Sequence, residues 1–188
     1  MMKWTNLFPD ETAASSYEID YNKLYKEGFR GIIYDIDNTL VAHDAPADER
    51  VYELFQKIRR IGFQVCLLSN NEEARVNMFN EKLGAFTVCK AGKPWRTGYF
   101  KAMEKMGTDV SNTIMIGDQI LTDMWGANRA GVPSIMVHRL YQKEAFQVVL
   151  KRIPEAIIML TYCLAKTFGW NGLKRREKKQ NAIKCDFE

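Results

Sequence analysis

From about residue 30 to residue 138, short apolar runs alternate with stretches whose apolar positions recur every three or four residues. Gly31-Ile32-Ile33-Tyr34 reads as a buried strand stopping at Asp35. Residues 48–61 read as a helix, with Val51, Leu54, Phe55 and Ile58 on one side. Gln64-Val65-Cys66-Leu67-Leu68 reads as a second strand that stops at Ser69, and residues 72–83 as a helix closed by Gly84. Ala85-Phe86-Thr87-Val88 is a third strand, and a helix over about 95–106 ends at Gly107. Asn112-Thr113-Ile114-Met115-Ile116 is a fourth strand, a helix from about 121 to 130 ends at Gly131, and Pro133-Ser134-Ile135-Met136-Val137 is a fifth.

Strands this short, apolar on both faces and separated by helices, predict an α/β fold: five parallel strands in one sheet with helices on both sides. In open sheets of this kind, ligands collect beyond the carboxyl ends of the strands. The polar residues just past each strand should therefore belong together. Strand one runs into Asp35-Ile36-Asp37-Asn38-Thr39, strand two into Ser69-Asn70, and strand three leads to Lys93-Pro94. Strand four runs into Gly117-Asp118, with Asp123 following.

These residue types are the parts of a phosphoryl-transfer site, which needs a nucleophile, a cation over the phosphate oxygens, fixed donors and a proton shuttle. Of Asp35 and Asp37, one carboxylate can attack phosphorus while the other protonates the departing alkoxide and later activates water. Crowded carboxylates call for a cation. Mg²⁺ prefers oxygen ligands and keeps several waters, so Asp35, the Asp37 main-chain carbonyl and Asp118 suffice to hold it. Thr39, Ser69, Asn70 and Lys93 are the candidate phosphate-binding set, with Lys93 supplying a compact charge. Taken singly, each has a plainer reading: Asp118 as a turn residue, Ser69 as a helix cap, Lys93 as a solvated lysine. Their arrival after successive strands makes the joint reading the stronger one.

Asp35-Ile36-Asp37-Asn38-Thr39-Leu40, Ser69, Lys93-Pro94 and Gly117-Asp118-Gln119-Ile120-Leu121-Thr122-Asp123 resemble, in order, the four motifs of haloacid dehalogenase-like (HAD) phosphohydrolases. The DNTL and GDQxxTD wording is similar to the YqeG family of type IIIA phosphatases, related to mitochondrial phosphatidylglycerophosphate phosphatases. The resemblance covers about residues 30–138. It implies a three-layer Rossmannoid fold, with Asp35 as phosphoaspartate, Asp37 as acid/base, and Ser69 and Lys93 as phosphate clamp. It also implies Asp118 as a Mg²⁺ ligand, with Asp123 supporting the metal from behind. The intervals from Asp37 to Asp48 and from Ser69 to Lys93 leave no room for a large cap domain. An open site of this kind suits a phosphate presented on something large or on a surface.

Composition changes this picture mainly at the C-terminus. The chain of 188 residues carries a net charge of +4, with 46% hydrophobic and 27% charged residues, as expected of one globular domain spanning 1–188. Its core should occupy about 20–140. Residues 139–188 hold eleven Lys/Arg against five Asp/Glu, while residues 1–138 hold sixteen against eighteen, so the positive charge is concentrated in the tail. No nucleic-acid partner is expected. Cys66, Cys89, Cys163 and Cys185 form no CxxC pair, and the N-terminus lacks the apolar core of a signal peptide, so a reducing cytoplasm is the expected compartment. Residues 143–152 read as a helix, Pro154 as an interruption, and Ala156 to Ala165 as a second, largely apolar helix. Trp170 and Lys174-Arg175-Arg176-Glu177-Lys178-Lys179 follow. This order suits peripheral contact with anionic lipid at the inner face of the membrane, or equally a core-packed helix followed by a solvated end.

Three functions are compatible with these residues. One is a Mg²⁺-dependent phosphatase acting through aspartyl phosphate on a lipid-presented phosphomonoester, phosphatidylglycerophosphate by resemblance. The second is the same chemistry on a soluble nucleotide or sugar phosphate. The third is a non-catalytic HAD-like binding module.

Overall fold

A computed structural model of the chain describes residues 4–140 and 146–169. Six strands form one parallel sheet: β1 (Glu11–Ala13), β2 (Gly31–Tyr34), β3 (Gln64–Leu68), β4 (Phe86–Val88), β5 (Thr113–Gly117) and β6 (Ser134–Val137). Their order across the sheet is β1-β6-β5-β2-β3-β4. Five of these are the expected strands. The sixth, β1, pairs in parallel with β6 at the edge, Thr12 opposite Met136. Its three residues, Glu-Thr-Ala, carry no run of apolar side chains, so only its pairing reveals it.

The helices are α1 (Tyr21–Lys26), α2 (Glu49–Ile61), α3 (Glu73–Asn80), α4 (Arg96–Met106), α5 (Trp125–Ala130) and α6 (Phe146–Thr167). Helix α2 shows why the pattern was readable. Asp48 caps its first turn by accepting from the Val51 N–H at 3.0 Å, and Gly62 closes it at φ 112°, where a glycine is favoured. Its buried Val51, Leu54, Phe55 and Ile58 lie on one stripe. Burying such side chains stabilises the layer by about 1.5–3 kcal/mol each.

Alternate residues of β2 feed two cores. Ile32 and Tyr34 pack with α2 and α3, together with Val76 and Phe79, whereas Ile33 packs with Tyr99, Ala102 and Met103 of α4 and Ala127 of α5. Three layers result. A third, smaller cluster joins Leu7, Phe8 and Ile120 to Ile158 and Tyr162 of α6.

The expected break at Pro154 is not observed: α6 is one helix from Phe146 to Thr167. A proline removes one hydrogen bond from a helix interior. The bonds on either side of it, together with the packing of Ile158 and Tyr162, keep the element whole. Residues 143–145, Trp170 and the basic cluster at 174–179 lie outside the described residues. Among the described residues, no helix is long and apolar enough to cross a membrane.

Candidate active site

The sheet changes direction at β2. Chain order runs outward through β3 and β4 on one side, while β5 and β6 lie on the other. A crevice opens at such a point, beyond the carboxyl ends of the two flanking strands. Register brings those ends level, with Tyr34 opposite both Leu67 and Ile116. Asp35, Ser69 and Asp118 therefore leave the sheet close together. The Asp35 N–H still donates to the Ile116 carbonyl at 3.0 Å, which holds the start of the loop against β5.

Beyond Asp35 the chain turns sharply. Asn38 adopts φ 62°, a left-handed conformation that asparagine tolerates better than most residues, and its N–H donates to the Val41 carbonyl at 2.7 Å. On the β5 side, Gly117 leaves no room for a side chain: a Cβ there would lie 2.5 Å from Asp123 Oδ2. Residues Ile120–Met124 then form one π-helical turn, a feature frequent at functional sites. Within it Asp123 turns back to accept from the Gln119 N–H at 3.1 Å. Tyr99 of α4 supports this turn from below, its hydroxyl donating to the carbonyls of Thr122 and Asp123 at 3.1 Å.

Asp35, Asp118 and Asp123 are buried, and each offers one carboxylate oxygen within 4.8 Å of those of the other two. Lys93 reaches into them, its Nζ 2.6 Å from Asp35 Oδ1 and 2.8 Å from Asp123 Oδ1. The Asp35 carboxyl is pushed up to about 7: burial raises it most, the Lys93 ammonium opposes, and the Asp123 carboxylate raises it again. Asp118 is likewise raised, first by burial and then by Asp35 and Asp123, with Arg139 and Lys93 opposing. Burial works against the charge of Lys93, yet Asp123 and Asp35 together hold its ammonium above the ordinary lysine range. The 2.6 Å contact favours the ionised pair. The residual rise at Asp35 reflects three carboxyls crowded into one dry space.

Of the expected phosphate-binding residues, Lys93 and Thr39 touch this cluster, and Ser69 and Asn70 follow the neighbouring strand β3. Thr39 is buried, with its hydroxyl 3.4 Å from Asp118 Oδ1. Ser69 is buried too, and its Oγ accepts from the Asn71 N–H at 3.1 Å. The Asn70 side chain is engaged with the main chain of Lys93, accepting from its N–H at 2.7 Å and donating to its carbonyl at 3.2 Å. That pairing fixes the loop carrying the lysine. Asp37 faces a different set of partners: the Asp44 N–H at 2.9 Å, Asn71 Nδ2 at 2.6 Å and Arg75 Nη2 at 3.1 Å. Its side chain is not among the three clustered carboxylates.

Two charged residues at the site were not read from the sequence. Arg75 lies inside α3, among polar residues typical of any solvated helix. Arg139 follows β6, and its Nε donates to Asp118 Oδ2 at 3.0 Å while Nη2 donates to Glu155 of α6 at 2.8 Å. Position just past a strand end was the one clue available for Arg139. His43 sits in the exposed flap, 3.8 Å from Asp37, and His138 is exposed. Trp95, just before α4, is 62% exposed, with the Arg129 guanidinium carbon 4.5 Å from the centre of its ring.

Comparison with known proteins agrees with this geometry. The family model described as "Hydrolase: haloacid dehalogenase-like hydrolase" matches residues 10–131. The chain is 37% identical over 152 residues to the Bacillus subtilis (strain 168) protein named "Probable phosphatase YqeG", covering 80% of this chain and 88% of that protein. It is 26% identical over 144 residues to "Phosphatidylglycerophosphate phosphatase 1, chloroplastic/mitochondrial" of Arabidopsis thaliana, covering 67% of this chain and 39% of that protein. Among solved structures, a protein of Listeria monocytogenes serotype 4b superposes with a TM-score of 0.51 at 18% identity, covering 63% of this chain and 85% of that one, a likeness of fold. The chain belongs to the haloacid dehalogenase-like hydrolases and is a phosphatase of that family.

Proposed function

We propose that the protein hydrolyses a phosphomonoester through an aspartyl-phosphate intermediate, with Asp35 as nucleophile and Asp37 as acid/base. The observation that carries this reading is the ammonium of Lys93 set between Asp35 and Asp123, with Asp118 alongside, at the switch point of the sheet. Asp35 Oδ forms a bond to phosphorus, and the bond from phosphorus to the ester oxygen breaks. The electron pair stays on that oxygen, which takes a proton from the Asp37 carboxyl. Water then attacks phosphorus, giving a proton back to Asp37, and the bond to Asp35 breaks to regenerate the carboxylate. Lys93, Ser69 and Thr39 hold the phosphoryl oxygens during both transfers.

Asp35 and Asp118, with the Asp37 main-chain carbonyl, would hold the divalent cation, and Asp123 would support it from behind. Buried carboxylate oxygens at this spacing suit Mg²⁺, a hard cation that prefers oxygen donors. When bound, the ion neutralises charge on the phosphoryl group and lowers the barrier to attack.

The proposed substrate is a lipid-presented phosphomonoester, with phosphatidylglycerophosphate the leading candidate. Support comes from the relatives bearing that name and from the absence of a cap over the site among the described residues. Helix α6 adds to it, with Ile157, Leu160 and Leu164 exposed along one stripe and Phe168 exposed just past its end. The basic cluster that follows in sequence would meet anionic head groups. The test measures Mg²⁺-dependent phosphate release from phosphatidylglycerophosphate micelles beside soluble phosphomonoesters, including phosphoglycolate and nucleoside monophosphates. Preference for the micellar substrate by at least tenfold in kcat/KM is expected. Equal or better turnover of a soluble ester would move the substrate assignment there, and persistence of activity in Asp35→Asn would overturn the covalent mechanism.

A further inference from the structure

Arg75 is a costly residue in its position. Its side chain is only 12% exposed, and its Nε and Nη1 are buried without a hydrogen-bond partner. A guanidinium so placed loses water contacts that the protein does not fully replace. What it does make is specific. Nη2 donates to Asp37 Oδ1 at 3.1 Å and to the Ala45 carbonyl at 2.8 Å, and Nε lies 3.6 Å from Asp44 Oδ1. The ring of Phe79, one helical turn further along α3, lies 5.6 Å from the guanidinium carbon. One rigid fork thus ties three things together: helix α3, the flap at residues 44–45, and the carboxylate of Asp37.

We propose that Arg75 is a positioning residue for the acid/base step, holding Asp37 and the flap in one fixed relation. This rests on the reading of Asp37 given above and extends it to a residue outside the four motifs. The Asp37 carboxylate has two torsions and sits on a loop leaving β2, so nothing in the strand itself aims it. Its donors come from three separate segments: the Asp44 N–H of the flap, Asn71 after β3, and Arg75 of α3. Asn71 fixes Oδ2 while Arg75 and the flap N–H share Oδ1, so the plane of the carboxylate is set. Arg75 alone also grips the flap backbone, which makes flap position and carboxylate aim a single variable. Both hydrogen bonds come from Nη2, so a lysine ammonium could replace them only without the planar fork that also brings Nε to Asp44.

The experiment compares Arg75→Met, Arg75→Lys, Asp37→Asn and the Arg75→Met/Asp37→Asn double variant in saturating Mg²⁺. The probes are 4-nitrophenyl phosphate, whose phenolate departs without a proton, and phenyl phosphate, whose phenolate is more basic. The quantity read is kcat/KM, which covers the steps through the first phosphoryl transfer. A positioned acid or base is worth about 10²–10⁴-fold, so Asp37→Asn should lose that much on phenyl phosphate and much less on 4-nitrophenyl phosphate. Arg75→Met should show the same direction of discrimination, with roughly a tenfold to hundredfold loss on phenyl phosphate, and Arg75→Lys should fall between. In the Asp37→Asn background, removing Arg75 should cost less than about threefold, because the group it aims is gone.

Equal losses on the two esters, or the same loss with and without Asp37, would make Arg75 a structural latch and overturn the proposal. Absence of discrimination in Asp37→Asn itself would instead remove the acid/base reading of Asp37. Melting temperatures of all variants identify a folding failure. Should Arg75→Met not fold, Arg75→Lys alone and combined with Asp37→Asn completes the same cycle.

Discussion

Replacing Lys93 by methionine keeps most of the side-chain stem and deletes the ammonium. In the native protein Nζ touches Asp35 Oδ1 at 2.6 Å and Asp123 Oδ1 at 2.8 Å, and all three groups are buried. Without it, three carboxylates remain, each with one oxygen within 4.8 Å of those of the other two. Two like charges at that distance repel by about 3–4 kcal/mol at an effective dielectric constant near 20. Deleting one partner of a buried ion pair costs about 3–5 kcal/mol by mutational precedent. The two routes agree, so Lys93→Met should lose roughly 3–5 kcal/mol of stability in metal-free protein at about pH 8. The sign with pH follows from Asp35. Burial, partly opposed by Lys93, leaves its carboxyl at about 7 against the ordinary 3.8, and losing Lys93 lifts it further. A carboxyl that binds its proton more tightly in the folded state gains stability as pH falls, so the penalty should recede from about pH 8 to pH 5. Urea unfolding in chelator at both pH values measures this. A loss under about 1 kcal/mol at the higher pH, or a larger loss at the lower, would refute the reasoning, since neither fits an uncompensated buried charge cluster.

Mg²⁺ at a hundredfold excess over its dissociation constant should raise wild-type stability by about 2.7 kcal/mol, and Asp118→Asn should abolish most of that gain in thermal melts. Gly117→Ala should cost at least about 1–3 kcal/mol and reduce kcat/KM, because its Cβ would lie 2.5 Å from Asp123 Oδ2; denaturant unfolding and phosphatase assays check both effects. Leu160→Glu combined with Leu164→Glu should weaken binding to vesicles containing anionic lipid while leaving soluble-ester turnover unchanged. These side chains are 63% and 53% exposed on the outer stripe of α6, so flotation and activity assays on the same samples separate the two effects.

The central sheet was legible because a parallel strand buried on both faces is a plain apolar run, and the helices between strands announced themselves through caps such as Asp48 and Gly62. Edge strand β1 was not, since Glu11-Thr12-Ala13 owes its conformation to pairing with β6 rather than to side-chain burial. At the site, Asp35, Lys93, Asp118 and Asp123 could be placed together because each follows a strand end, and topology alone makes those ends converge. Arg75 and Arg139 escaped notice for a physical reason. Their contacts, to Asp37 and Asp118 respectively, span 38 and 21 residues and follow no helical or strand period. Pro154 misled in the other direction: a local rule against proline in helices was outweighed by the rest of a 22-residue helix.

The C-terminal helix is where two opposed expectations turn out to be compatible. Packing on the core and offering an apolar face were alternatives only if the helix had a single apolar side. Helix α6 has two. Ile158 and Tyr162, four residues apart, are buried against Leu7, Phe8 and Ile120, and the Tyr162 ring meets Phe8 edge-on at 5.5 Å. Ile157, Leu160 and Leu164, spaced by three and then four, emerge on another side, with Phe168 exposed just past the end of the helix. Burial of the first stripe gives the helix a fixed seat, and Glu155 adds a charged link through Arg139 to Asp118. A face held this way does not need to fold upon contact with a surface. The ordering cost is already met within the protein, so even a small apolar stripe would contribute most of its transfer free energy to binding. The same seat fixes the orientation of that stripe relative to Asp118, which a flexible tail could not do. For the proposed lipid-presented substrate, that fixed orientation would constrain how the phosphate approaches the site.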